Sequence, residues 1–532
     1  MMAAYDPSGE IELALDPNAV PTLSSSAKNM NIDKLLAAPL PTYDASVPGS
    51  YIWTKLAFWM CRRVSSVQFR STTSTSVAPL SAGGPGAMCC GWHTNGLMDP
   101  LAIFLQHPKE FVVGARHDLV TRPLLGWWTR RLAVQPVVRK AELVRGGCTE
   151  EEAMHLNGRS LLALASGIAH GFGCVLFPEG TSHSLSHMVR FKTGPARTVL
   201  AAAALAKAND LPLPHLVPVG LHFRRRELFR TDQYIEFGEP IQLTEDMVPD
   251  DMVAAVGQGG WVEPPAATVH RIRDELQARL PSMTPEAATW VEHRAMHLTA
   301  HVEANAAGRR LASWQDEVHA ARKVRDNWPG RQHAFPPEPI TGGRFEQASE
   351  AAELLEKHGL DGRDLGQNGR TLRKANPGRL PSAVVSIALF LTFLPFAITS
   401  LGFQITLGRL LGDSTDEGLD ARTSFQFLAA FFGSLLIWPL IAALWTGAVW
   451  AVQGDLATAM GWSAGWLSLG TDTTTTGLFL VYLFCFPVFW VSGKSFAAAW
   501  DVWVDSRKAW LRYRFPSDEK ARLARLLREL TP

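Results

Sequence analysis

His93-Thr94-Asn95-Gly96-Leu97-Met98-Asp99 lies directly behind the apolar run Ala87-Met88-Cys89-Cys90, so an imidazole and a carboxylate fall a turn or two apart at the end of a short strand. A second apolar run, Cys174-Val175-Leu176-Phe177, ends in an equally sharp turn, Pro178-Glu179-Gly180-Thr181. A His near neutral pH takes a proton from a hydroxyl, and a neighbouring carboxylate holds its tautomer and stabilises the imidazolium. Two strand-end turns carrying His, Asp, Glu and backbone amides point to an active-site edge on an α/β sheet. Either motif alone is common by chance or as an ordinary turn, so the inference rests on their combination and order.

Outward from these motifs, short apolar runs alternate with helical patterns as far as about Thr244, the pattern of an α/β sheet. Phe111–Ala115 and Ala133–Val138 read as strands, and Phe237–Ile241 closes the sheet region. Thr149 is placed to cap a helix opening on Glu150-Glu151-Glu152, whose acidic first turn suits the helix dipole, and running to about His170. Gly194-Pro195 opens another helix, to Lys207. Tyr51 to Val64 combines aromatic and apolar residues with Arg62 and Arg63, which fits an interfacial helix and, equally, a core helix. Ser71 to Gly86 is rich in Ser, Thr, Gly and Pro and reads as a loop.

With 532 residues the chain exceeds one ordinary domain, and a net charge of +1 gives no global reason to expect a nucleic-acid partner. Six cysteines without C-x2-C or metal-ligand spacing read as buried thiols of a reducing compartment. The boundaries expected are a mobile tail over 1–50, a catalytic domain over 51–245, a helical extension over 246–330, a linker over 331–380, a transmembrane region over 381–493 and a basic cytoplasmic tail over 494–532. The start of the chain has no basic stretch followed by an apolar one, so no secretory signal is expected. Ala383–Thr406, Phe425–Val452 and Thr475–Val491 are long apolar segments that read as membrane spans, with buried helices of a soluble domain as the alternative. Arg370, Arg373, Lys374 and Arg379 precede the first of them, and Asp413, Asp416, Glu417 and Asp420 follow it, which puts the catalytic region in the cytoplasm. The C-terminal flank is basic too. Three full spans would separate the two basic flanks, so either one segment is re-entrant or Leu456–Leu469 adds a fourth crossing.

Taken together, the two turns resemble the first and third sequence blocks of the glycerolipid acyltransferase family, which includes glycerol-3-phosphate and lysophosphatidic acid acyltransferases. Gly126-Trp127-Trp128 leading to Val134-Gln135-Pro136-Val137-Val138-Arg139 resembles the second block, and Leu216-Val217-Pro218-Val219-Gly220-Leu221 the fourth. The resemblance spans roughly residues 50–300. Its first motif is H-x5-D rather than the usual H-x4-D, which is similar to a longer subgroup acylating glycerol 3-phosphate or dihydroxyacetone phosphate. It implies an α/β, glycerol-3-phosphate acyltransferase-like catalytic domain with a helical extension and C-terminal transmembrane helices. It also implies that Arg139 binds phosphate, that Glu179, Gly180 and Thr181 belong to the acceptor site, and that the strand carrying Pro218 lines the acyl site. The Arg expected shortly after Glu179-Gly180 is absent, Ser184 and Leu185 standing there instead, with Arg190 or Lys192 as substitute cations.

Chemically, His93 is then the general base and Asp99 the group that orients and charges it. Glu179 binds an acceptor hydroxyl or organises its turn, Lys192 precedes a helix N-terminus where phosphate is favoured, and backbone amides near Gly91 or Gly180 are candidate oxyanion donors. A thioester of coenzyme A or acyl carrier protein has a good leaving group, so neither metal nor cofactor is expected; membrane lipids, that donor and a phosphorylated glycerol-type acceptor are the expected partners. The alternatives are acylation of lysophosphatidic acid, or a catalytically silent lipid-binding scaffold on the same fold. Gly461-Trp-Ser-Ala-Gly465 matches a nucleophile elbow only formally, since no strand precedes it. Gly493-Lys494-Ser495 lacks the first Gly of a phosphate loop.

Overall fold

The computed structural model describes residues 48–75, 84–116, 120, 123–137, 150–180, 182–328, 335–414, 419–459 and 474–531. Its centre is one mixed sheet of β1 (Phe69–Thr75), β2 (Ala87–Gly91), β3 (Phe111–Arg116), β4 (Val134–Val137), β5 (Gly173–Val175), β6 (His215–Phe223), β7 (Thr231–Phe237) and β8 (Ile241–Gln242). The strand order is β1-β7-β6-β2-β5-β3-β4, with β8 paired to one end of β6. Strands β2 to β6 run parallel, and β7 and β8 turn back antiparallel to β6. The parallel strands are joined through helices, α2 (Met98–Gln106), α3 (Pro123–Arg131), α4 (Glu150–Ala169) and α5 (Gly194–Ala208), close to the expected bounds where those were given.

Both faces of the central strand β2 are covered, which is why its five residues are buried without polar alternation. Met88 and Cys90 pack with α4 and α5, whereas Ala87 and Cys89 pack with Ile103 and Phe104 of α2. Ala201 to Ala204 of α5 are all fully buried, small side chains that let the helix lie close against the sheet. Burial pushes the Cys61 thiol up to about 12 and raises those of Cys89, Cys90 and Cys174 as well. Cys89, Cys90 and Cys174 are inert thiols of the interior, whereas Cys61 is half-buried.

Three boundaries differ from expectation. Ser71–Thr75, expected in a loop, is the polar half of β1, an edge strand parallel to β7. Its hydroxyls are matched across the pair, Ser71 to Asp232, Thr72 to Gln233 and Thr75 to Tyr234, so cross-strand hydrogen bonds supply what apolar alternation does not. The expected linker over 331–380 contains a packed helix, because Ala348, Ala351, Ala352, Leu354 and Leu355 of Gly343–Lys357 form a buried face. In chain order the helices of the extension are α6 (Asp250–Gly257), α7 (Ala266–Arg279), α8 (Trp290–Ala306), α9 (Trp314–Asp326) and α10 (Gly343–Lys357).

The expected separate tail over 494–532 is the third difference. After α11 (Leu380–Thr392), α12 (Leu394–Asp413), α13 (Leu419–Leu436) and α14 (Trp438–Ala459), helix α15 runs unbroken from Thr474 to Tyr513. Its second half is tied to the rest of the protein by Lys494 to Ser66 O at 2.9 Å, Asp501 to Arg230 at 2.6 Å, Asp505 to Arg70 at 3.2 Å and Lys508 to Asp361 at 2.7 Å. The last helix, α16 (Ser517–Leu530), buries Leu523, Leu526, Leu527 and Leu530 against α8 and α10. Leu394–Asp413 and Thr475–Tyr513 are long and apolar enough to cross a membrane. Arg422–Leu436 and Trp438–Val452 pass together as a pair bent by 47°. Most of Leu456–Leu469 lies outside the described residues, as do 1–47.

Helix α1 (Tyr51–Gln68) packs on one side as the core-helix reading expects and leaves an apolar side exposed. Ala57 and Met60 are buried with Phe427 and Phe431 of α13, while Tyr51, Ile52 and Trp59 on the other side are exposed.

Candidate active site

Strand β2 delivers the chain to the first motif. Beyond Gly91 and Trp92 it loops through residues 93–97, and α2 begins at Met98, so Asp99 occupies the first helical turn, where a carboxylate is favoured by the dipole. Asp99 is fully buried, and its Oδ2 accepts hydrogen bonds from the backbone N–H groups of Thr94 and Asn95, each at 2.7 Å. The same oxygen pairs with His93 Nδ1 at 2.9 Å. A carboxylate partner makes Nδ1 the protonated ring nitrogen and leaves the lone pair on Nε2. The His93 side chain stays 15% exposed, and its ring stacks on Phe177 with centroids 4.0 Å apart. The two motifs therefore meet face to face, as their order in the sequence suggested.

The third-block turn is held by its own carboxylate. Glu179 Oε2 accepts from the His93 N–H at 3.0 Å, and Oε1 from His183 Nε2 at 2.7 Å and from the Val189 N–H at 3.0 Å. Its side chain is completely enclosed and both oxygens are taken by these donors, which favours the second of its two expected roles, organising the turn. Gly180 has φ +71°, a left-handed conformation suited to glycine, and its N–H is committed to Phe177 O at 3.1 Å. That amide is thus not an oxyanion donor in this arrangement. Gly91 lies within the β2–β6 ladder opposite Val219.

Lys192 is exposed and crosses the turn: a Cβ added to Gly180 would stand 2.7 Å from its Nζ. Pro218 is a buried residue of β6, opposite Cys90, with its carbonyl accepting from the Gly238 N–H at 2.9 Å. Pro218 is thus enclosed within the sheet. Arg139 and Thr181 lie outside the described residues.

Sequence reading assigned no role to several residues that complete the site. Arg226, at the β6–β7 turn, donates to Thr94 O at 2.8 Å, to His183 O at 3.3 Å and to Ser184 Oγ at 2.7 Å. Its guanidinium thus reaches the position where the third-block Arg is missing. The run Arg224-Arg225-Arg226 directly after a strand was the available signal. A cavity of about 130 Å³ borders this side of the loop, lined by Trp92, Thr94, Arg226, Trp290 and Arg294 among others. From the apolar C-terminal helices, Thr423 and Ser424 of α13 reach Asn95 and Leu97; no local pattern signals a contact across so long a separation.

Residues 52–221, which hold both motifs and most of the sheet, match the family model described as Acyltransferase. Over 101 residues the chain is 34% identical to glycerol-3-phosphate O-acyltransferase 2 of Saccharomyces cerevisiae, a stretch that is 19% of this chain and 13% of that protein. Over 81 residues it is 31% identical to glycerol-3-phosphate O-acyltransferase 1 of the same yeast, 15% of this chain and 10% of that one. The matches thus span only a small part of these relatives' length. The crystal structure of the 1-acyl-sn-glycerophosphate (LPA) acyltransferase of Thermotoga maritima aligns with a TM-score of 0.27 at 15% identity, over 42% of this chain and 80% of that one. The domain at 52–221, with its His93–Asp99 pair and its Glu179 turn, matches the Acyltransferase model and is similar over part of its length to the glycerol-3-phosphate acyltransferases.

Proposed function

We propose that this protein is a membrane-bound O-acyltransferase that moves a fatty acyl group from acyl-coenzyme A or acyl carrier protein to a hydroxyl of glycerol 3-phosphate or dihydroxyacetone phosphate. The observation that carries the reading is the His93–Asp99 pair, with Nδ1 held at 2.9 Å by a buried carboxylate and the ring still partly exposed. In this reading His93 Nε2 takes the proton of the acceptor hydroxyl as the oxygen attacks the thioester carbonyl. Asp99 stabilises the imidazolium, the tetrahedral intermediate collapses with expulsion of the thiolate, and His93 returns the proton to sulfur. No metal or other cofactor is assigned a step. The acceptor class is supported by the short matches to the two yeast glycerol-3-phosphate acyltransferases. Arg226 and Lys192 are the described cations beside the turn, and Arg139 remains the phosphate ligand that the resemblance implies.

Membrane attachment is supported by the two helices long enough to cross, and it suits a product that partitions into lipid. The basic residues before α11 and the charged half of α15, which is bound to the catalytic domain, are consistent with one cytoplasmic side.

The test is acyl transfer by the full chain in detergent or nanodiscs from palmitoyl- or oleoyl-coenzyme A, with glycerol 3-phosphate, dihydroxyacetone phosphate and lysophosphatidic acid as parallel acceptors. Turnover with one of the first two, abolished by His93→Ala in a protein that melts like the parent, is expected. Preference for lysophosphatidic acid moves the enzyme to the next acylation step, and turnover that survives His93→Ala removes the mechanism.

A further inference from the structure

The first-motif loop is not closed by the catalytic domain alone. Its backbone donors find partners in three places. Thr94 and Asn95 donate to Asp99, His93 donates to Glu179, and Leu97 donates to Ser424 Oγ at 3.0 Å. Thr423 Oγ1 adds a hydrogen bond to Asn95 Oδ1 at 2.7 Å. All three side chains are enclosed, Asn95 being 1% exposed, Thr423 3% and Ser424 8%. Asn95 also accepts from the Met98 N–H at 2.8 Å, which starts the helix that carries Asp99. A continuous chain of hydrogen bonds thus runs from Thr423 through Asn95 to Asp99 and on to His93.

Thr423 and Ser424 lie in the first turns of α13, the helix that forms the bent apolar pair with α14. Farther along α13, Phe427 and Phe431 are buried against α1 and Trp128, and the Phe431 ring stacks on Trp128 at 5.1 Å. The hydroxyl pair is therefore seated by an apolar interface on the same helix, one turn away. Without Thr423, the Asn95 carbonyl oxygen would be left buried and unpaired, a state the loop escapes only by moving.

We propose that Thr423 and Ser424 are positioning residues of the active site: the membrane-side helix α13 completes the catalytic loop and holds Asn95, and through it Asp99 and His93, in the geometry for proton transfer. This rests on the reading of His93 as general base. Neither hydroxyl touches substrate. The catalytic domain therefore reaches full activity only with its apolar helices docked.

The experiment compares Thr423→Val, Thr423→Ser and Ser424→Ala with the parent and with His93→Ala, all as full chains in nanodiscs, using oleoyl-coenzyme A and the acceptor found above. For Thr423→Val, kcat is expected to fall about 10- to 100-fold with KM for both substrates unchanged, the scale of a small misplacement of a catalytic group. Thr423→Ser keeps the hydroxyl and restores kcat. Ser424→Ala acts in the same direction but less, and it carries the test if Thr423→Val fails to fold. Parent-like kcat in folded Thr423→Val and Ser424→Ala, with His93→Ala inactive, overturns the positioning role and leaves the mechanism standing. A raised KM with intact kcat overturns it in favour of substrate contact. Retained turnover in His93→Ala would instead remove the mechanism on which the proposal rests.

Discussion

Two histidine–carboxylate pairs stand side by side in this protein and differ in how their imidazoles are placed. His93–Asp99 and His183–Glu179 are similar in length, 2.9 and 2.7 Å, and both carboxylates are fully enclosed. Each carboxylate also accepts two backbone N–H groups. The difference lies in the imidazoles. His93 is 15% exposed with Nε2 left open, whereas His183 is 3% exposed and spends Nε2 on Glu179. In addition, Asp99 Oδ1 is buried with no hydrogen-bond partner among the described residues, while both oxygens of Glu179 are used. Pairing alone thus does not make a general base. An imidazole needs one nitrogen held and the other offered to substrate.

The largest expected effect separates the pairs by chemistry. Asp99→Asn keeps an acceptor for the Thr94 and Asn95 amides but no longer fixes the His93 tautomer, so turnover should fall by about 10⁴-fold, as for the equivalent change in a serine-protease triad. The melting temperature should change little. Steady-state kinetics with thermal scanning of the same sample checks both, and an Asp99→Asn protein with full turnover would erase the distinction drawn here.

Next in size is the sealed pair. Glu179→Ala removes the common acceptor of three donors on three segments and should lower stability by roughly 3 kcal/mol or more, given ~1–3 kcal/mol for each buried group left unsatisfied. A loss of the folded fraction in denaturant titration, with activity following it, is the expected result. A folded, stable Glu179→Gln with a raised acceptor KM would return Glu179 to the substrate site.

The smallest effect concerns the helix that presents Asp99. At the other end of α2, His107 packs edge-on against Phe111 and Phe237, and burial, helped by the Lys109 cation, lowers its pKa to about 4. An unfolded His titrates near ~6.5, so the neutral ring stabilises the fold fully above that pH. This contribution is lost as pH falls from there towards the folded value. Stability followed by thermal scanning should decline over that window, and His107→Asn should flatten the decline.

Much of the site was legible in sequence because it is local. His93 and Asp99 lie within one turn and one helix start, and the runs ending in Gly91 and Val175 are short, apolar and bounded by turn residues. The sequence left two roles open for Glu179, and only its partners His93, His183 and Val189 reveal that it faces inward. Nor were Arg226 and Thr423, whose bonds to the loop cross 132 and 328 residues of chain. The Ser/Thr run of β1 read as a loop because hydroxyl-bearing residues favour turns in isolation. Its strand character comes from β7 beside it.

By itself, then, the sequence determined the α/β class, the pairing of His93 with Asp99, and the long apolar helices, all of which follow from short-range periodicity and turn chemistry. Tertiary structure decided which carboxylate stays structural, where the charged half of α15 docks, and that α13 closes the catalytic loop. Each of these depends on burial and on partners far apart in the chain, and neither is encoded in any single window of residues.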